Sequence, residues 1–232
     1  MDHNNLKFKA ISLNVRGIRA FEKRKSIFNW LIKQNANICF LQETYSINDV
    51  VDQWKKQWPG ECFFSHGSNH SRGVYVAILI RKSLDFKMKS MRADVDGWYL
   101  ILEASIQDTH FLPVNIYAPN ITAKQPSLFQ SLSESVSDEE HREYNCRLLL
   151  EGDFNVTLQP SLDCSGGNSI LKESVKFLED IIMECDLVDI WRVRNPDSKN
   201  SAWRQKTQVF KGDLIIGSLA IHYRMMSPKL TL

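Results

Sequence analysis

Polar side chains with oxygen in them stand at the ends of successive apolar runs. Asn14 follows "FKAISL", Glu43 closes "NICFLQE", Tyr117 closes "FLPVNIY", and Asp153 and Asn155 follow "RLLLEG". If these runs are neighbouring strands, groups after their carboxyl ends converge on one rim. That rim would hold two carboxylates, two amides and a phenol. Such hard donors suit Mg²⁺, which takes one or two carboxylates and completes its octahedron with water and phosphate oxygens. Zinc's usual histidine and thiolate ligands are absent from these positions. Within "GDFN", Asp153 and Asn155 are two apart, so on an extended strand they point to the same side with Phe154 turned into the core. One could deprotonate or orient a water while the other holds that water or a phosphate oxygen. Each piece alone has an ordinary reading: a turn residue for Glu43 and Asn14, a packed ring for Tyr117, an Asx turn for Asp153 and Asn155. Their joint placement at strand ends is what points to chemistry.

The bulk properties allow a body that can position such a rim. The 232 residues are 43% hydrophobic and 24% charged, enough for one substantial core and one domain. A net charge of +2 gives only weak support for a nucleic-acid partner. Cys39, Cys62, Cys146, Cys164 and Cys185 form no C-x-x-C pair, and buried reduced thiols are expected. The opening "MDHNNLKFKA" has no apolar signal region, and no apolar stretch approaches the roughly 18 residues of a membrane span. The expectation is a soluble, intracellular chain, cytoplasmic or nuclear, with no membrane partner.

The elements follow from periodicity. "FKAISLNV" reads as a strand and residues 22–34 as a helix, with Ile27 and Leu31 on one face, followed by a strand at "NICFLQE". Residues 73–81, 98–106 and 111–117 read as further strands. The polar stretch 126–144 reads as a solvated helix, and residues 171–185, with apolar positions at helical spacing, as another. "LVDIW" and "DLIIGSL" are strand candidates and "NPDSKNS" a loop. The mixture argues for an α/β layered sheet protein.

The ordered set "LNVRG", "LQET", "NIYAPN" and "GDFN", followed by "DLVDIWR" and an Asp-led strand, closely resembles the endonuclease/exonuclease/phosphatase superfamily. Within it the likeness is nearest to the apurinic-type endonuclease domain of non-LTR, LINE-type retrotransposons, and it runs from about residue 8 to about residue 219. The resemblance implies a four-layer α/β sandwich, two β-sheets flanked by helices, and Mg²⁺-dependent hydrolysis of a DNA phosphodiester, with Mn²⁺ as an alternative ion. It implies a metal-binding Glu43 and an Asn14 that helps bind metal or phosphate. Tyr117 would contact the scissile phosphate, Asp153 would activate or position the attacking water, and Asn155 would hold a phosphate oxygen. Asp213 takes the place of a supporting aspartate near the domain's end. The implied partners are DNA and a downstream reverse transcriptase domain of a parent polyprotein, with the endonuclease itself a monomer.

Departures from the pattern set further expectations. Arg16 stands where many relatives carry an acid, and "RGVYVAIL" has two extra residues after Gly73 that call for a bulge or register change. Ala202 replaces a Thr before Trp203. The family's Ser-Asp-His motif beyond the final aspartate is not matched by "IHYRMMSPKLTL", in which His222 lacks the flanking pair. The reading is therefore a domain over residues 1–219 with its last strand missing and a divergent tail over 220–232, as a frameshift would give. Loss of one preorganised charge-stabilising group costs on the order of 10² to 10³ in rate, so nicking is expected to be impaired. A catalytically inactive remnant keeping the fold and weak DNA binding is the alternative. A phosphodiesterase acting on a lipid or inositol phosphate is disfavoured by "NIYAPN" and by the basic stretches "FEKRKS" and "RKSLDFKMKSMR".

Overall fold

The strands carry continuous apolar runs because both faces of each sheet are covered. A computed structural model describes residues 8–67, 75–120, 122–137, 146–156, 158, 172–189, 193, 196 and 218–219. The elements in chain order are β1 (Ala10–Asn14), α1 (Phe21–Lys33), β2 (Ile38–Gln42), a 3₁₀ turn (Asn48–Val50), α2 (Val51–Gln57) and β3 (Gly60–Ser65). They continue with β4 (Val76–Arg81), β5 (Phe86–Ala93), β6 (Tyr99–Ile106), β7 (Thr109–Tyr117), a second 3₁₀ turn (Thr122–Lys124), α3 (Gln125–Val136), β8 (Arg147–Asp153), α4 (Lys172–Glu184) and β9 (Ser218–Leu219).

One sheet has the order β1-β2-β4-β3 and the other β5-β6-β7-β8-β9. β1 and β2 are parallel, as are β7 and β8. The Asn14 and Gln42 ends of the first pair and the Tyr117 and Asp153 ends of the second form the rim. Side-chain alternation sorts the core into three layers. Ile11, Leu13, Cys39, Leu41 and Leu79 turn outward onto Phe28 and Leu31 of α1 and Trp54 of α2. Ala10, Ile38, Phe40, Ile78, Leu100, Leu102, Phe111 and Leu149 meet between the sheets. Leu112, Val114, Ile116 and Leu150 turn to the opposite outside, onto Leu128, Phe129 and Leu132 of α3 and Leu178 and Ile181 of α4. The result is the expected four-layer α/β sandwich.

Near the rim the filling between the sheets changes from apolar to polar. Ser12, Gln42, Asn115 and Glu151 are all buried there. The Gln42 amide donates to Ser12 Oγ (3.1 Å) and to Asn115 Oδ1 (2.7 Å). Asn115 Nδ2 in turn donates across the gap to the carbonyl oxygens of Leu41 (3.0 Å) and Ala77 (2.8 Å). One fully buried side chain of the second sheet thus caps backbone groups of two strands of the first.

Several expectations need correction. The stretch 126–144 is not a solvated helix: α3 buries Leu128, Phe129, Leu132 and Val136, and residues 138–145 lie outside the described set. Residues 187–189 of "LVDIW" are not strand; Leu187 is instead buried against the α3–α4 layer. Of "DLIIGSL" only Ser218–Leu219 is described, as a parallel partner of Leu149 and Leu150. Within Val76–Arg81 the register is continuous on both sides, and Gly73 and Val74 lie outside the described residues. α2, β3 and β5 escape the sequence reading. β5 is an edge strand whose residues after Phe86 are all exposed, so it has no apolar alternation to find, and its Lys and Arg residues discourage pairing with other chains. The four described cysteines other than Cys164 are free thiols, and burial pushes Cys62 up to about 12.

Replacing Asn115 by Ala should cost about 2–4 kcal/mol, because buried carbonyls lose their donor. Urea unfolding followed by tryptophan fluorescence should show a lower midpoint with an unchanged slope.

Candidate active site

The two sheets deliver their acids to a shared donor. Asn14, the last residue of β1, is 2% exposed, and its Nδ2 donates to Glu43 Oε1 at 2.8 Å and to Asp153 Oδ2 at 3.0 Å. Two hydrogen bonds to one nitrogen keep those carboxylate oxygens less than about 6 Å apart. Glu43 is 8% and Asp153 3% exposed, so both charges sit largely out of water. Asn14 Oδ1 accepts from the Arg16 backbone N–H (3.2 Å), which fixes the direction of its amide.

The backbone at this rim is held in a conformation that side chains disfavour. Arg16, Glu43, Tyr45 and Asn155 have φ between 47° and 53°, in the left-handed region. Each such residue costs on the order of 1 kcal/mol or more, and persists where surrounding bonds over-determine it. Those bonds are present. The N–H of Val15, Gly17 and Ile18 donate to the carbonyls of Gln42, Glu43 and Thr44, lashing the loop after β1 to the loop after β2. The Thr44 N–H donates to Tyr75, tying the second loop to the start of β4.

Asp153 is placed by Gly152, whose φ is 147°. A Cβ there would lie 2.0 Å from the Ile116 carbonyl oxygen, so only glycine lets β8 approach β7 this closely. The glycine of "GDFN" therefore belongs to the strand and not to a turn. Tyr117 lies opposite Asp153 in the register, 5% exposed, and its phenol accepts from Asn120 Nδ2 at 3.4 Å. Asn155 departs from the expectation. The chain leaves the extended form after Asp153, and Asn155 Nδ2 donates to the Ala118 carbonyl at 2.6 Å. It stands beside the loop after β7 and makes no hydrogen bond to Asn14 or Asp153 among the described contacts. Phe154 is buried against the helical layer as expected. Asp213 lies outside the described residues.

Other residues emerge only from the geometry. Gln125 Nε2, at the start of α3, donates to Pro119 O (2.9 Å) and Asn155 O (3.2 Å), joining the loops after β7 and β8. A glutamine opening a helix gives no sequence signal for this. Lys23 Nζ donates to the Arg16 carbonyl at 2.8 Å. Burial and the Arg16 charge hold the Lys23 ammonium below its ordinary range, while Glu43 pulls the other way. Burial, then Glu43, pushes the Tyr45 phenol up. Arg24, in the basic stretch "FEKRKS", is fully buried and donates to the carbonyls of Ile18 and Arg19, so it braces the rim loop from beneath. The second basic stretch lies on β5. Lys87 and Lys89 are at the end away from the rim, paired with Asp108 and Glu103.

No protein-family model matches the chain. The AP endonuclease LMAP of Leishmania major shares its architecture with a TM-score of 0.67 at 18% identity, over 88% of this chain and 75% of that one. The likeness is one of fold. TDP2 of Caenorhabditis elegans is also similar in fold, with a TM-score of 0.52 at 20% identity over 66% of this chain and 64% of its own. D. rerio TDP2, solved with single strand DNA product, gives 0.51 at 18% identity over 67% and 63%. Among curated proteins, the transposon TX1 uncharacterized 149 kDa protein of Xenopus laevis is 29% identical over 192 residues. That match covers 81% of this chain, which spans only 14% of the relative's length.

One buried acid on this frame is not explained by the rim. Glu151 lies two residues before Asp153 on the same inter-sheet face, 1% exposed. Burial, and then the charge of Asp189, pushes its carboxyl well above the ordinary value of 4.5. A carboxyl raised in the folded state binds its proton more tightly there than in the unfolded chain. Stability is therefore full below pH 4.5 and falls as pH rises through the window up to the folded value. Glu151→Gln should raise the urea midpoint at pH 7, with the gap over the parent closing as the pH falls to about 4.5.

Proposed function

We propose that the chain is a divalent-metal-dependent phosphodiesterase that nicks DNA, with Mg²⁺ as its ion and Mn²⁺ as a substitute. The observation that carries this reading is the Asn14 amide bonded at once to Glu43 and Asp153. Two mostly buried carboxyl groups held this close present oxygen donors to one place, where a divalent cation can take both. Among the described residues no group of three or more His, Cys, Asp or Glu side chains could hold a metal ion. The oxygen-only pair fits an ion that keeps several waters and binds substrate phosphate, as Mg²⁺ does.

In this reading Glu43 is the principal ligand. The ion, when bound, supplies neutralisation of charge on the phosphoryl oxygens. The Asp153 carboxylate, oriented by Asn14, accepts a hydrogen bond from the attacking water and takes its proton. The Tyr117 hydroxyl, opposite Asp153 in the register, would donate to a non-bridging phosphate oxygen, and Asn155 would do so through its second N–H. Asp213 would support the site from a position that the described residues do not include. DNA as the substrate is supported by the transposon relative and by Lys23, whose charge feels both Arg16 and Glu43. A parent polyprotein that also carries a reverse transcriptase domain is part of the same reading and is supported by the relative's greater length alone.

Purified protein incubated with supercoiled plasmid should convert it to the nicked form with Mg²⁺ and stop on addition of EDTA. Asp153→Asn and Glu43→Gln should each lower the rate by about 10² or more. Equal nicking by the parent and both variants would overturn the assignment. DNA binding indifferent to Asp153→Asn and to Mg²⁺, with no nicking by the parent, would favour the inactive remnant instead.

A further inference from the structure

Tyr45 has no part in the catalytic set above, yet its ring is the exposed aromatic surface nearest in sequence to the metal-binding carboxylate. It lies two residues past Glu43, in the left-handed conformation at φ 52°. Its ring is backed by Gly17: a Cβ at Gly17 would sit 3.0 Å from Tyr45 Cδ2, 3.6 Å from Cε2 and 3.8 Å from Cγ. Gly17 itself has φ 78°, so both the turn and the seating of the ring call for glycine there. Arg19 Nε donates to the Tyr45 carbonyl at 3.0 Å, which fixes the backbone beneath the ring. With its back covered, the residue still keeps 36% of its surface in water.

Two comparisons distinguish this ring from the protein's other aromatics. Phe21 is more exposed, at 49%, but Arg24 and Lys25 already sit over it at 6.0 and 5.8 Å from the ring centre. Among the described residues no ring and no cation engages the Tyr45 ring. The surrounding charge is positive: Arg16, Arg19 and Lys23 lie on the loop and helix that carry Gly17, and Glu22 is the one acid in residues 16–25. The ion pairs among the described residues lie elsewhere, on β5. An open ring face, cations around it and a phosphate-binding rim next to it make the combination that holds a single-stranded or unstacked nucleotide: phosphates on the cations, a base on the ring.

We propose that Tyr45 is the stacking platform for the nucleobase adjacent to the phosphate held at Glu43 and Asp153, and that the site takes DNA with an unpaired nucleotide there in preference to regular duplex. This rests on the DNA-nicking function proposed above and names its substrate class. A base within a matched duplex already has both faces covered by its neighbours, and must lose that stacking to reach the ring. An unpaired base has little stacking to lose and gains a full aromatic contact. One base on one ring changes affinity by about tenfold.

The test uses residues 1–232 and two fluorescein-labelled duplexes that differ only in one unpaired 2-aminopurine nucleotide, with Ca²⁺ in place of Mg²⁺ so that binding is read without cleavage. The parent should bind the duplex with the unpaired nucleotide about tenfold more tightly and change the 2-aminopurine fluorescence on binding. Tyr45→Ala should bind both duplexes with the affinity the parent has for the matched one and leave the 2-aminopurine signal unchanged, while Tyr45→Trp keeps the preference. Equal affinity of the parent for both duplexes, or a preference that survives Tyr45→Ala, overturns the proposal. The parent measurements alone decide the matter should Tyr45→Ala fail to fold. Nicking of both duplexes at the same rate with Mg²⁺ would sink this inference and leave the DNA-nicking function standing. Neither binding nor nicking of any of these DNAs would sink both.

Discussion

Everything at the rim depends on a single neutral amide standing between two acids from different sheets. Asn14 Nδ2 has two hydrogens and gives one to Glu43 and one to Asp153. It orients both carboxylates and cancels neither charge. An arginine or lysine in that place would have satisfied the acids and closed the site to a cation. With an amide, two acids from different sheets are held side by side as an oxygen-donor pair, the arrangement on which the proposed divalent-ion site rests. Mispositioning either sheet by a fraction of a hydrogen-bond length would break the bridge, so the packing between the sheets has to be specific as well as apolar.

The polar layer below the rim supplies that specificity. An interior filled only with Ile, Leu and Phe tolerates some sliding of one sheet over the other. Hydrogen bonds from Asn115 to Leu41 and Ala77, and from Gln42 to Asn115, do not. The layering is therefore graded: apolar contact between Phe40, Ile78, Leu102 and Phe111 gives the bulk of the adhesion, and directional bonds nearer the rim set the alignment. Glu151 is the cost of that arrangement, a buried acid on the same face that is best accommodated with its proton on.

How much of this was legible in the sequence varied with the kind of signal. Strands covered on both faces announce themselves as apolar runs, which is why β1, β2, β4, β6, β7 and β8 were placed to within a few residues. β5 was invisible because its side chains are wet on both faces, and α3 was misread because Ser and Gln separate the four apolar residues it buries. Of the site residues, Asn14, Glu43 and Asp153 were drawn together as expected, and Tyr117 was placed beside Asp153 in the register. Asn155 was not placed as expected, because strand alternation was carried two residues past the end of β8, to a residue that is itself left-handed. The supporting bonds of Asn115, Gln125 and Arg24 could not be read, since each goes to backbone carbonyls, which every residue type carries alike.

The contact of Gly152 with the Ile116 carbonyl makes two neighbouring codons unequal. A change at Asp153 strips the chain of its proposed base and of one Asn14 partner, but puts no new atom between the strands. A change at Gly152 forces apart the pair of strands that present Tyr117 and Asp153, and so loses structure and chemistry together. A sequence required only to stay folded would be free to lose the aspartate while keeping the glycine. Which of the two letters related chains retain would record whether architecture or chemistry is what holds them.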